Sequence, residues 1–354
     1  MTLISLSNPG QLIVRNRELF EFEHLLVVGV PSDDLISQLL IDGAGYITAL
    51  TRDFSVYCRL LPLQARLEDR FSLSFAPILP PDFTHPVDGV LLFLQKSKPL
   101  MEFWLEMILC FLPEDAPVWL VGENVEGIKS WEKRLKNSFG YIKSVDNARH
   151  CVLLEASAPL KKPAGFTLDP WFETFSVTVG PVNIEISSLP GVFSHGSLDK
   201  GTKVLLETLD AVPSGKVLDF GCGAGVISAY INVLPGEHDF TLVDCDALAL
   251  SSSNKTMSGV GCESFTVRPS DGLSEVTGQF DLVISNPPFH QGVKTHYEVT
   301  EQFLVRSRRV LRPGGELRIV ANSFLRYLPI IRKVFGYGET LLARDGFSVY
   351  RAIR

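Results

Sequence analysis

Apolar positions along this 354-residue chain come in short continuous runs, separated by stretches where they recur at helical spacing. The runs at 216–220, 239–243, 279–285 and 316–320 predict strands buried on both faces, and the spacing over 203–209, 226–232 and 298–310 predicts helices between them. Strand and helix in alternation is the pattern of βαβ units around a parallel sheet. Leu311-Arg312-Pro313-Gly314-Gly315 stops the last of these helices before strand 316–320. Upstream, 175–179 and 183–186 flank Gly180-Pro181 and predict a β-hairpin. The most apolar stretch, 101–112, carries Glu102 and Glu106 and is shorter than the roughly 18–20 residues a membrane span needs, so a core-facing helix is expected there.

The same pattern occurs twice. Phe335-Gly336-Tyr337 and the run 347–352 answer Phe139-Gly140-Tyr141 and 151–156 at an offset of 196. Residues 281–284 and 241–246 answer 88–91 and 48–53 at 193, and 217–221 answer 25–29 at 192. Matches in order at nearly one offset predict a tandem duplication of one α/β unit. A stretch rich in Pro, Lys and Gly at 157–165 reads as the linker, dividing a first domain, 1–156, from a second, 166–354.

Length agrees with two domains, because single cores stop growing near roughly 250–300 residues. A net charge of −7 gives no overall pull toward nucleic acid; counted with the linker in the first half, the halves carry −4 and −3. Cations are concentrated locally, with eight between Arg306 and Lys333 against Glu316 alone, and six between Lys129 and Arg149 against Glu132 and Asp146. Arg306, Arg308, Arg309 and Arg312 are the candidates for phosphate contact should a nucleic acid be the partner, and His290 is a further candidate contact. The six cysteines form no C-x-x-C and no metal-ligand spacing, so no metal is expected. No export signal is visible at the start, which predicts reduced thiols and a cytoplasmic protein.

The candidate chemistry lies in the second copy. Val217-Leu218-Asp219-Phe220-Gly221-Cys222-Gly223-Ala224-Gly225 is a strand running into a glycine-rich turn that opens a helix, and Asp244 and Asp246 close the next strand. The turn admits a nucleotide-like ligand close to the backbone, and a carboxylate placed like Asp244 accepts from ribose hydroxyls. A dinucleotide dehydrogenase is equally allowed so far. The spacing is G-x-G-x-G rather than G-x-G-x-x-G, however, and Asp219 beside the turn suits a cationic amino-acid-like group better than a phosphate. Ser285-Asn286-Pro287-Pro288-Phe289 breaks the tie. Two prolines hold the backbone extended and leave carbonyls free to accept, Asn286 adds a side-chain oxygen, and Phe289 adds an aromatic face. Together these suit a planar group carrying an exocyclic amine.

Residues 219–225 resemble motif I of class I S-adenosylmethionine-dependent methyltransferases, and Asn286-Pro287-Pro288-Phe289 resembles the N-P-P-[FY] of their amino-methylating branch. With 191–202, 286–291 and 314–322, the second half resembles the bacterial small-subunit ribosomal RNA guanine-N2 methyltransferases, the RsmC family, which also carry a decayed methyltransferase copy in front of the active one. The resemblance implies two tandem Rossmann-like domains with a degenerate first copy, S-adenosylmethionine as cofactor, and a guanine of 16S rRNA in the 30S subunit as substrate for a monomeric enzyme. It implies that Asp219, Gly221, Cys222, Gly223 and Gly225 hold the methionine part, Asp244 the ribose and Asp271 the adenine amine. Lys200, Gly201 and Thr202 would lie over the carboxylate end, and Asn286, Pro287, Pro288 and Phe289 would act on the acceptor.

In the first copy Val27 stands opposite Asp219, Thr51 opposite Asp244, and Phe93-Leu94-Gln95-Lys96 opposite Asn286 to Phe289. No second active site is expected there; RNA binding or support of folding is. Competing readings are a large-subunit guanine-N2 methyltransferase, a protein-glutamine methyltransferase, and a non-catalytic RNA-binding factor. The glutamine enzymes generally carry Tyr where Phe289 stands and lack the first copy; the intact Asn286-Pro287-Pro288-Phe289 weighs against a non-catalytic factor.

Overall fold

The computed structural model describes residues 5–80, 83, 85–287 and 293–354, with the side chains of 293–299 outside the description. The chain divides into two compact units, Met1–Trp171 and Phe172–Arg354.

In the first unit, α1 (Asn8–Arg15) leads into β1 (His24–Val28), α2 (Leu35–Asp42), β2 (Tyr46–Thr51), α3 (Phe54–Arg66), β3 (Phe71–Phe75), β4 (Gly89–Phe93), α4 (Lys98–Phe111), β5 (Val118–Glu123), α5 (Trp131–Leu135), β6 (Phe139–Ala148) and β7 (Cys151–Pro159). The sheet order is β3-β2-β1-β4-β5-β7-β6, parallel except where β7 runs against both neighbours. Helix α4 is the expected core-facing helix: Leu100, Met101, Phe103, Trp104 and Ile108 are buried, and Glu102 and Glu106 stay outside. Strand β7 continues past the expected linker start at 157, because Ser157 and Pro159 still pair with Tyr141 and Phe139 of β6.

The second unit opens with the hairpin β8 (Glu173–Val179) and β9 (Val182–Ser188) and continues with α6 (Lys200–Leu206), β10 (Gly215–Phe220), α7 (Val226–Asn232), β11 (His238–Asp244), α8 (Ala247–Gly259), β12 (Phe265–Pro269), β13 (Phe280–Ser285), α9 (Val293–Val310), β14 (Leu311–Asn322), α10 (Leu328–Phe335), β15 (Glu339–Arg344) and β16 (Phe347–Ile353). Its sheet, β12-β11-β10-β13-β14-β16-β15, repeats the order of the first. The offsets are visible in the register. Leu25 pairs with Ile47 and Gly89, and Val217, 192 residues on, pairs with Phe240 and Leu282, each 193 on. Among the described residues no helix is long and apolar enough to cross a membrane.

Several boundaries differ from the sequence reading, among them the start of α9 at Val293 rather than 298. Helix α6 starts at Lys200 rather than 203 because Asp199 caps it, accepting from the Thr202 N–H at 2.8 Å. Strand β14 starts at Leu311 rather than 316, so the Pro-Gly-Gly stretch ends α9 without ending the pairing; an irregularity of register between Phe280 and Leu282 absorbs it.

In this topology the chain leaves β10 toward β11 and β12, then returns to β13 on the other side of β10. The crevice outside the carboxyl ends of β10 and β13 is where open α/β sheets bind ligands. The glycine turn follows β10 there, and Asn286 follows β13.

Candidate active site

Strand β10 ends on Asp219 and Phe220, and the backbone turns through Gly221, Gly223 and Gly225 with φ of 67°, 54° and 77°. All three lie in the left-handed region that disfavours a Cβ. A Cβ on Gly225 would sit 3.1 Å from the Ser253 Cβ, so this glycine lets the turn pack onto α8. A Cβ on Gly223 would meet nothing within 4 Å.

The turn borders a cavity of about 380 Å³, within the size range of small-molecule sites. Gly221 to Ala224, Val226 and Ile227 form one wall, Asp244 to Asp246 another, and Phe175, Phe193, Leu198, Asp199, Thr202 and Asn286 are among the residues that complete it. Asp244 is held rigidly at the end of β11. Its Oδ2 accepts from the Gly223 N–H at 2.9 Å and its Oδ1 from the Asp246 N–H at 3.0 Å. Burial pushes its carboxyl up, and the backbone N–H groups pull the other way. Asp246 caps α8 through the Leu248 N–H. The Cys222 thiol is buried and pushed well up, so it stays neutral.

Asp219 lies beneath the turn, fully buried and off the cavity wall. Helix α7 has Gly225 at its N-cap and therefore no capping side chain, so Asp219 supplies one from β10. Its Oδ2 accepts from the Ser228 Oγ–H at 2.7 Å and the Ser228 N–H at 3.2 Å. Its Oδ1 has no hydrogen-bond partner among the described residues. Burial raises its pKa to about 7 against the Ser228 bonds, with the Asp244 charge adding to the rise.

Asn286 is oriented by Asp199 and Thr202. Its Nδ2 donates to Asp199 Oδ2 and to Thr202 Oγ1, each at 3.0 Å, and the Thr202 hydroxyl donates to the same Asp199 oxygen at 3.3 Å. A carboxylate only accepts, so the amide must present its NH₂ to Asp199. Both amide hydrogens are thereby used, and Oδ1 keeps its lone pairs for another donor. Asp199 was not singled out from sequence; its only local signal is the helix cap three residues before Thr202.

Several expected residues stand elsewhere. Lys200 is exposed on the first turn of α6, off the wall; Gly201 is where the Phe347 ring packs, 2.9 Å from a would-be Cβ; and Asp271 is exposed beyond β12. Pro287 is buried, while Pro288, Phe289 and His290 lie outside the described residues.

The cations mostly have structural work. Arg318 is buried against Glu316 and the Thr208 and Ala211 carbonyls, Arg312 pairs with Asp281, and Lys333 with Glu301. Arg308 and Arg309 line a separate cleft of about 400 Å³ with Lys333 and Arg354. Gln279, just before β13, donates to the Arg309 carbonyl at 3.4 Å. That places Arg309 at the sheet edge opposite Asn286, about 20 Å away at ~3.3 Å per strand residue.

The first unit keeps the frame of this site and not its ligands. Gly29 N–H donates to the Leu50 carbonyl as Gly221 N–H does to Val243. Asp53 caps α3 as Asp246 caps α8, and its N–H donates to the Thr51 hydroxyl where Asp246 donates to a carboxylate. The Trp104 indole and the Gln95 amide crowd the turn, 3.0 and 3.2 Å from a would-be Cβ on Gly29.

The methyltransferase small domain matches residues 183–351, and the methyltransferase small domain N-terminal matches 10–175. A ribosomal RNA small subunit methyltransferase C of Stutzerimonas stutzeri is 39% identical over 98% of both chains, and one of Pseudomonas entomophila is 40% identical over 98% of both. The chain belongs to the ribosomal RNA small subunit methyltransferase C family. The duplicated sheet is a feature of this family's fold: a solved T. thermophilus 16S rRNA N2 G1207 methyltransferase, in complex with AdoMet and guanosine, superposes with a TM-score of 0.79 at 22% identity. That match covers 94% of this chain and 88% of the other.

Proposed function

We propose that this chain transfers a methyl group from S-adenosylmethionine to the exocyclic N2 of a guanine in 16S rRNA. The proposed target corresponds to the G1207 on which the T. thermophilus protein acts. The observation that carries this reading is the amide of Asn286, whose two hydrogens are held by Asp199 and Thr202 so that Oδ1 is left to accept from an amine.

The wall suits the cofactor. Asp244 is fixed to accept from ribose hydroxyls, Gly223 leaves open space, and Asp219 beneath the turn ties it to helix α7 through Ser228. The cofactor, when bound, supplies a methyl group already activated on a sulfonium. The protein's work concerns the acceptor nitrogen, whose lone pair is delocalised into the ring. Asn286 Oδ1 and the Pro287 carbonyl accept hydrogen bonds from its two N–H groups, which favours a pyramidal nitrogen with its lone pair directed outward. Holding the base in that pose contributes up to about 7–11 kcal/mol by positioning. A paired base cannot enter such a cavity, so the guanine is turned out of its helix or taken from a single strand.

The same reading makes the chain a monomer that acts in the cytoplasm on the 30S subunit, with every lining residue of the cavity drawn from the second unit. Arg308 and Arg309 contact phosphates remote from the target base. Labelled S-adenosylmethionine offered with naked 16S rRNA, 30S and 50S subunits, followed by mapping of the label, tests the whole reading. Label on a 30S guanine N2 is expected; label confined to 50S subunits or to protein would overturn it.

A further inference from the structure

The catalytic edge carries an exposed aromatic ring that the reaction does not use. Strand β14 runs parallel beside β13, with Ile319 level with Ser285, so residues 323–326 emerge on the same edge as Asn286. Phe324 is 75% exposed there, and Arg326 beside it is exposed with φ of 48°, a left-handed backbone unusual for arginine. The segment is pinned. Ser323 N–H donates to the Gly346 carbonyl at 2.8 Å, its hydroxyl bonds that of Ser348 at 2.8 Å, and Tyr327 is buried behind it. Contacts connect it to the site: Asn322 pairs with Phe347, the Phe347 ring packs on Gly201, and Thr202 holds Asn286.

We infer that Phe324 and Arg326 form a contact for the RNA that flanks the target guanine, the ring stacking on a neighbouring base and the guanidinium meeting a backbone phosphate. An exposed ring on a tethered loop loses little freedom when a base covers it, and stacking needs no particular sequence. A strained backbone that puts a cation on the same exposed loop as that ring is what a phosphate contact would retain, whereas glycine would serve the turn alone. Continuity with the catalytic edge favours RNA over a second protein. The inference rests on the function proposed above, and RNA binding can be read separately from methyl transfer.

The test measures equilibrium binding to naked 16S rRNA and to 30S subunits, with methyl transfer as a second readout. Phe324→Ala and Phe324→Leu should each weaken binding to both by about tenfold, and Phe324→Trp should keep wild-type affinity. Arg326→Gly should weaken binding and flatten its salt dependence while melting no lower than wild type. Wild-type affinity in Phe324→Ala or in Phe324→Leu overturns the stacking role. Loss on 30S subunits but not on naked RNA overturns it too, in favour of a protein contact. Wild-type chain that binds RNA through Phe324 without methylating it would instead overturn the function and leave this surface standing.

Discussion

Asn286 Nδ2 lies 3.0 Å from Asp199 Oδ2, a bond between residues 87 positions apart that fixes which end of the amide faces the substrate. Replacing Asp199 by Asn keeps the shape and removes the anion that forbids a flipped amide. Asp199→Asn should lower kcat about ten- to a hundredfold, the ~1.5–3 kcal/mol of one charge-assisted hydrogen bond, with cofactor affinity and Tm nearly unchanged. Asn286→Asp should do worse, since it sets two carboxylates against each other. The double variant exchanges donor and acceptor across the same contact and should recover much of the loss. A double variant no faster than the slower single one would sink the assignment.

Asp244 is held by two backbone N–H groups and has lone pairs left over for a ligand. Asp244→Ala should raise the cofactor Kd about tenfold or more, as expected when a ligand loses hydrogen bonds to a charged group, while kcat at saturating cofactor falls little. Calorimetry beside turnover separates the two, and normal cofactor binding would refute a ribose contact.

The parts of this site legible in the sequence are those made by neighbours. The glycine turn, the hairpin and helix α7 each come from adjacent residues, and each lies where local chemistry puts it. The duplication was legible for the same reason, as repeated apolar spacing. Asp199 was not, because its meaning depends on a residue brought to it by the sheet. The capping task of Asp219 was not legible either, since nothing local shows that a glycine N-cap leaves the Ser228 N–H in need of a carboxylate. The basic run 306–333 was read as one patch, yet the fold places Arg326 on one sheet edge and Arg309 on the other.

Asp219 should impose a pH dependence on stability. Its pKa in the folded protein is about 7, above the ordinary carboxylate range, because burial disfavours the charge. Between about pH 4 and 7 the folded state keeps a proton that the unfolded chain has released. Stability contributed by this group is therefore greatest at the acid end, declines as pH rises through that window, and is level above it. Asp219→Asn keeps an acceptor for Ser228 and removes the titration, so its Tm should decline less than wild type between pH 5 and 8. Parallel Tm profiles would contradict the shift.

Gly225 and Gly223 should fail in different ways. Alanine at 225 adds a left-handed backbone penalty of about 1 kcal/mol to overpacking against Ser253 of about 1–3 kcal/mol. Tm should fall by roughly 5–15 °C. Alanine at 223 carries only the backbone penalty, but its methyl points into open space beside the cavity, so cofactor affinity should fall more than Tm. Equal thermal losses in the two variants would remove the distinction.

Arg308 and Arg309 pose the sharpest question about the extent of the RNA footprint. They stand at the edge away from Asn286, in a cleft shared with Lys333 and Arg354, and the chain's net charge of −7 offers no general attraction. If this cleft meets phosphates, each contact releases condensed counterions, and the slope of log Kd against log salt carries about 0.7–0.9 per phosphate. Arg308→Ala with Arg309→Ala should weaken binding and flatten that slope by about 1.5. Because the two arginines lie about 20 Å from the reacting nitrogen by strand length, kcat at saturating RNA should not change. Binding measured from 50 to 200 mM salt checks the first part, and turnover at saturation the second. An unchanged slope would make the cluster a solvated face; a fall in kcat with the slope intact would mean that the arginines support helix α9 rather than touch RNA.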